Sequence, residues 1–71
     1  MTTWNFELAK QRINEMGLKR RFVADKIGIQ TSTFGQYLMG NDKPGSDTME
    51  KLAIVLNLSV ADLMRVKQSA G

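Results

Sequence analysis

Glycine residues and a single proline divide this chain of 71 residues into short segments. Within the segments, apolar residues recur at spacings of three and four, which is typical of helices with one apolar face. The first segment, for example, places Phe6, Ala9, Ile13 and Met16 on one face. No stretch of four to eight residues alternates apolar and polar residues as a strand does. The sequence therefore predicts an all-α fold, one domain over residues 1–71 with helices at about 6–16, 19–27, 30–39, 48–56 and 60–66.

Residues that favour helix ends stand at the borders of the last two segments. Asp47 is expected to N-cap the fourth helix, with Glu50 three residues later at the spacing of a capping box. Ser59 is expected to N-cap the fifth helix, with Asp62 at the same spacing. Asn57 lies between these segments and is expected to end the fourth helix.

The composition excludes several classes of activity. The chain has no cysteine and no histidine, so it lacks disulfides, thiol nucleophiles, zinc sites built on these residues and the commonest general base. The longest apolar run, Ala53–Leu56, is far shorter than the roughly 20 residues that cross a membrane. We therefore expect no catalytic residue, no metal, no cofactor, no membrane-spanning segment and no small-molecule ligand.

The positive charge is concentrated in the first half of the chain. The net charge is +3, and residues 1–35 carry six basic and three acidic side chains, whereas residues 36–71 carry four of each. Such an imbalance indicates an anionic partner, such as nucleic acid or a membrane surface.

Two short helical segments meet at Gly28, within residues 19–40. Ala24 is small enough to let two helices cross closely, and Gly28 can take the positive φ that a sharp turn requires. Ile29 and Phe34 are placed to hold the second helix against the first. This is the spacing of a helix-turn-helix, in which two helices cross at about 90–120° over a turn of three or four residues.

This stretch resembles the DNA-binding domains of the Cro and repressor proteins of lambdoid phages and of the wider bacterial regulator family. The residues that fall in the family's register without a gap are Leu18, Lys19, Arg20, Val23, Ala24, Gly28, Ile29, Phe34, Tyr37 and Gly40. The match continues at Pro44, Met49, Leu52, Ala53, Leu56, Leu58, Ser59 and Leu63. It covers about residues 6–66 and implies a compact five-helix, lambda repressor-like fold. It also implies a transcriptional regulator in the cytoplasm of a bacterial host, on the nucleoid.

Four features depart from the family pattern: the start of the second helix, Ile13, Leu38 and Gly35. Lys19 and Arg20 stand where the family often has Thr or Ser followed by Gln. Ile13 and Leu38 stand where the family often has an ion pair, so the pair is replaced as a unit, which leaves no buried charge without a partner. Gly35, inside the third helix, costs about 0.5–1 kcal/mol relative to alanine, and a close approach to DNA is one reason for a glycine there.

The resemblance implies that the third helix lies in the major groove with its first residues at base edges. The implied base contacts are Gln30, Thr31, Ser32 and, one turn later, Gln36. Glutamine can pair with adenine at two points, and serine and threonine can bond several bases or touch a thymine methyl group. Arg20 could also reach a base, most naturally guanine.

Lys19, Arg20 and Arg21 stand at a helix N-terminus, where the helix dipole disfavours cations by about 0.3–1 kcal/mol each. Phosphate groups docked there would reverse the sign, because exposed N–H groups and cations would then face an anion. We therefore expect phosphate contacts from Lys19 and Arg21, and further ones from Asn41 and Lys43. The alternative to phosphate contact is that Lys19, Arg20 and Arg21 are solvated by water alone.

The family usually binds DNA as a dimer that reads two half-sites of a pseudo-palindromic operator. On this chain the implied homodimer interface includes Leu58, Val60 and Met64, and Val66 extends it. The alternative is that Leu58 completes the core and Val60 is a singly exposed valine. Trp4 has no evident place, and could cover the first and fifth helices or add to the dimer contact.

Two other classes of function compete with DNA binding. An antitoxin-type or other protein–protein module would use the same fold, and the unusual residues Gly35, Leu38 and Met39 could belong to it. An enzyme is poorly supported, because the chain has no phosphate-binding glycine loop and its carboxylates fit helix caps and exposed surfaces.

Overall fold

The computed structural model describes residues 4–65, and within that range every regular element is a helix. This confirms the predicted all-α fold with five helices. The elements are α1 (Phe6–Glu15), α2 (Arg20–Ile27), α3 (Thr31–Leu38), α4 (Ser46–Leu56) and α5 (Val60–Met64). The predicted end of the last helix at residue 66 lies outside the described residues, and so does Val66. Arg65, which follows α5, is already extended.

The first helix ends one residue earlier than its apolar spacing suggests. Asn5 caps α1 by accepting the Leu8 N–H at 3.1 Å, and the helix ends at Glu15. Met16 was expected on the buried face, but it follows the last helical residue and is exposed. Ala9 and Ile13 are buried as predicted.

The turn between α2 and α3 has the conformation that the sequence indicates. Gly28 adopts φ +77°, and the N–H groups of Gly28 and Ile29 donate to the carbonyls of Asp25 and Ala24 at 3.2 and 3.0 Å. These two bonds are the pattern that ends a helix with a left-handed residue. Only three residues therefore separate the two helices, and α2 packs against α3.

One apolar core joins all five helices. No residue in the described part of the chain buries a polar or charged side chain, and no buried polar side-chain atom there lacks a hydrogen-bond partner. Tyr37, Leu58 and Val60 are half-buried against the core. The buried residues are Trp4, Ala9, Ile13, Val23, Ala24, Ile27, Phe34, Leu38, Met49, Leu52, Ala53, Leu56 and Leu63.

Trp4 has a definite place in this core. It is almost fully buried, and its Nε1 donates to the carbonyl oxygen of Tyr37 at 3.1 Å. The backbone N–H of Asn5 donates to the Leu63 carbonyl at 2.7 Å. The segment before α1 therefore ties α3 and α5 together, and a tryptophan so buried is not a surface for a dimer contact.

The two ends of α4 compare differently with the sequence prediction: Asn57 ends the helix as expected, whereas the expected cap at Asp47 is wrong. Asp47 does not cap it: the N-cap is Gly45, without a side-chain bond, and Asp47 lies in the first turn. There its charge still favours the helix dipole. At the other end Asn57 adopts φ +57°, and the guanidinium of Arg12 donates to the carbonyls of Leu56 and Asn57 at 2.9 and 3.3 Å.

The capping box of α5 is confirmed. The Ser59 hydroxyl accepts the Asp62 N–H at 3.1 Å, and the Asp62 carboxylate accepts the Ser59 N–H at 3.4 Å. Both groups are satisfied within the chain, although the helix has only five residues.

Candidate nucleic-acid interface

The solvent side of α3 carries the side chains that the sequence proposes for base contacts. Thr31, Ser32 and Gln36 are exposed on the helix, while Phe34 and Leu38 point into the core. Gln30 is the N-cap and is exposed, and it makes no side-chain bond to the helix. Neutral polar groups able to donate and accept hydrogen bonds therefore cover one accessible face.

The start of α2 combines exposed cations with uncapped N–H groups. Lys19 is the N-cap and makes no side-chain bond to the helix, and no acidic residue lies in the first turn. Lys19, Arg20 and Arg21 are all exposed. Among residues 4–65, the ion pair joins Arg12 to Glu15. The three cations at the start of α2 therefore have no carboxylate partner within that range.

A shallow cleft of about 210 Å³ joins the start of α2 to the end of α3. Ile13 and Leu38, the apolar pair that stands where the family often has an ion pair, both line this cleft and both belong to the core. Leu18 also lines the cleft. Three polar side chains, Lys10, Asn14 and Arg20, complete its lining. Arg20 therefore lines the same cleft as Leu38, the last residue of α3.

A hydrogen bond joins two of the predicted contact residues. Asn41 Nδ2 donates to Gln36 Oε1 at 2.8 Å, and both side chains are exposed. Lys43 is exposed in the following loop, where its backbone N–H donates to the Asp42 carboxylate at 2.9 Å. The bond between Gln36 and Asn41 links a residue proposed for a base to one proposed for a phosphate.

Gly35 has no packing role in the monomer. A Cβ added at this position would meet no atom within 4 Å, and the residue lies within the regular helix α3. The fold alone would therefore accept alanine, which favours helix formation more.

Apolar side chains remain exposed near the predicted dimer contact. Leu58 and Val60 are half-buried against the core, while Met64 is exposed. The sequence reasoning missed Ile54, in the last turn of α4, which is 79% exposed and the most exposed of the large apolar side chains described. The available signal was that Ile54 lies on α4 but outside the buried stripe of that helix.

The described residues offer no other kind of site. Residues 4–65 contain no group of three or more acidic side chains arranged to hold a metal ion. None of the helices described is both long and apolar enough to cross a bilayer.

Two helices joined by three residues, with the second presenting a polar face, define a helix-turn-helix domain of the DNA-binding class. The helix-turn-helix family of Cro- and repressor-type regulators matches residues 8–63, well over half of the chain. The chain belongs to this family of DNA-binding transcription regulators. Neither the curated proteins nor the solved structures include a match.

Proposed function

We propose that this chain is a sequence-specific operator-binding regulator, a Cro-like or repressor protein of a phage or prophage. The observation that carries the proposal is the exposed polar face of α3 beside the uncapped, basic start of α2. A sequence reader needs hydrogen-bonding groups for base edges and cations for the DNA backbone. Both sets lie on the two helices of the helix-turn-helix.

The proposed base-reading residues are Gln30, Thr31, Ser32 and Gln36, together with Arg20 at the start of α2. In a major groove the first turn of such a helix faces the base edges. Gln30 is suited to this role because its side chain makes no capping hydrogen bond to its own helix. Arg20 can donate two parallel hydrogen bonds to guanine.

The residues proposed for phosphate contacts lie outside the polar face of α3. Lys19 and Arg21 stand at the start of α2, and Asn41 and Lys43 follow the end of α3. Phosphate at α2 would accept from unpaired N–H groups and neutralise the two cations at once. Contacts from these two segments would fix the register of α3 in the groove without reading sequence.

A second copy of the chain is the proposed partner on DNA. A single module of this size buries little surface on DNA, and two copies can read two half-sites about one helical turn apart. Leu58, Val60 and Met64 form the proposed interface, and Ile54 extends it because so exposed an isoleucine gains from burial. Sedimentation with an operator duplex should give two chains per duplex, and a single chain would contradict the dimer.

Selection from a random DNA pool tests the proposal. The wild-type chain should enrich a pseudo-palindromic sequence, and Thr31→Ala with Gln36→Ala should abolish the preference for it while the chain stays folded. Gln11→Ala, which removes an exposed amide from α1, is the matched control and should enrich the wild-type sequence. If the double variant enriches that same sequence, α3 does not read bases as proposed.

A protein–protein module is the second candidate. Phe22 on α2 is 46% exposed and Met39 after α3 is 65% exposed, so apolar side chains also stand at the helix-turn-helix. A salt titration on random DNA separates the two candidates. Binding that weakens as salt rises favours the DNA regulator, and no binding even at low salt favours the protein module.

A further inference from the structure

Two cations line the cleft between α1, the start of α2 and the end of α3. The polar part of its lining consists of Lys10 and Asn14 on α1 and Arg20 on α2, and all three side chains are exposed. None of the described residues that line the cleft is acidic. Charges of one sign around a cleft with apolar walls reinforce one another. The cleft is therefore suited to an anionic group of a partner.

An aromatic ring holds Lys10 at this cleft. Phe6 and Lys10 are one turn apart on α1, and Lys10 Nζ lies 5.7 Å from the centroid of the Phe6 ring. The face of a ring attracts a cation, which restrains the lysine side chain. The same ring packs on the turn after α3, where a Cβ at Gly40 would lie 2.8 Å from Cε2 of Phe6. The Phe6 ring therefore lies next to both Lys10 and the turn that precedes Asn41.

Lys10 thus neighbours both segments that are proposed to contact phosphate. It lines the cleft with Arg20, which belongs to the basic start of α2. Through the Phe6 ring it adjoins the turn that leads to Asn41 and Lys43. No ion pair in residues 4–65 includes Lys10, so no carboxylate there neutralises it. We therefore expect a DNA backbone bound by these two segments to meet the charge of Lys10 as well.

We propose that Lys10 and Asn14 bind a phosphate of the DNA backbone in the cleft, so that α1 joins the interface from outside the helix-turn-helix. This inference rests on the proposed function, which brings the start of α2 to the DNA. The two side chains are one turn apart on α1, so both can reach the same group. The Lys10 ammonium supplies charge, the Asn14 amide donates a hydrogen bond, and Arg20 adds positive potential.

The salt dependence of binding measures the charge that Lys10 contributes. Lys10→Gln removes the charge and keeps a long side chain that favours helix formation. The variant should flatten the slope by about 0.9, on the operator and on random DNA alike, because phosphate carries no sequence information. Between about 50 and 200 mM salt, its affinity should fall about 3- to 4-fold less than that of the wild type. Lys10→Arg should keep the wild-type slope.

Lys26→Gln is the matched control. Lys26 is exposed on α2 and lies 5.4 Å from the centroid of the Phe22 ring, much as Lys10 lies over Phe6, but it does not line the cleft. This variant should keep the wild-type slope. Asn14→Ala should lower affinity by about 2- to 10-fold and also keep the wild-type slope, because asparagine is neutral.

Operator duplexes that each carry one uncharged methylphosphonate linkage identify the phosphate. One such linkage in each half-site should weaken binding by the wild type and by Lys26→Gln. The same linkage should leave binding by Lys10→Gln unchanged, because that variant has already lost the interaction.

A wild-type salt slope in Lys10→Gln, or the absence of any linkage coupled to Lys10, would overturn this inference. If Lys19→Ala with Arg21→Ala flattens the slope in that case, the proposed function stands without a contact from α1. If the wild-type chain binds no DNA even at low salt, the proposed function and this inference are both wrong.

Discussion

The helices of this domain begin in two different ways. The helices α1 and α5 each start with an N-cap side chain that accepts a backbone N–H. These side chains are Asn5 for α1 and Ser59 for α5. The helices α2 and α3 start at Lys19 and Gln30, whose side chains make no such bond, and neither helix has an acid in its first turn. The fourth helix is intermediate, because it lacks a capping side chain but has an aspartate in its first turn.

This difference separates the residues that hold the fold from those available to a partner. The first N–H groups of a helix have no partner within it and need one elsewhere. In α1 and α5 the chain supplies it. In α2 and α3 the N–H groups are left to water or to an external anion, and the three cations at α2 oppose the dipole of the free helix. The proposed docking of phosphate would account for both features at once.

Trp4→Ala should have the largest effect, and it tests whether the segment before α1 belongs to the fold. Removing a buried tryptophan costs about 3–5 kcal/mol, which is comparable to the whole stability of so small a domain. Urea unfolding should show the loss. Trp4→Phe keeps a ring and loses the bond to Tyr37, so it should cost less. A stability unchanged in Trp4→Ala would show that the segment is not part of the core.

Two substitutions at helix starts should change the free energy of unfolding in opposite directions, by about 0.5–2 kcal/mol each. Ser59→Ala removes a cap and should destabilise the domain. Lys19→Asp supplies a cap where the backbone already has the extended conformation of an N-cap, and should stabilise it. DNA affinity should nevertheless fall in Lys19→Asp, because this variant places a negative charge where phosphate is proposed. A loss of stability in Lys19→Asp would contradict the distinction between capped and uncapped helix starts.

Gly35→Ala should have the smallest effect. The added methyl group meets no atom within 4 Å, so the gain in helix propensity should raise the free energy of unfolding by about 0.5–1 kcal/mol. If the glycine serves a close approach to DNA, operator affinity should fall in the same variant. An unchanged affinity would remove Gly35 from the interface.

The features that were predicted correctly are those set by residues near one another in sequence. The sharp turn follows from Gly28 between two apolar stripes, and the cap of α5 follows from Ser59 and Asp62 at a fixed spacing. Both depend on local backbone geometry, which a few residues determine.

The features that were missed depend on partners far along the chain. Trp4 bonds to a carbonyl 33 residues away, and Arg12 bonds to the end of α4, 44 residues away. Neither pairing leaves a periodic pattern in the sequence. The expected cap at Asp47 was wrong because a capping pattern can fit more than one starting residue, and the loop through Pro44 and Gly45 starts the helix earlier. The bond between Asn41 and Gln36 depends on how α3 ends, which only the structure shows.

The salt dependence of operator binding tests the central claim, that the uncapped start of α2 meets phosphate. The logarithm of the binding constant falls linearly with the logarithm of salt concentration, by about 0.9 per phosphate neutralised. Lys19→Ala with Arg21→Ala should therefore flatten the slope by about 1.8. Lys51→Ala, which removes an exposed lysine from α4, should leave it unchanged. A double variant with the wild-type slope would show that these cations face only water, and would contradict the account.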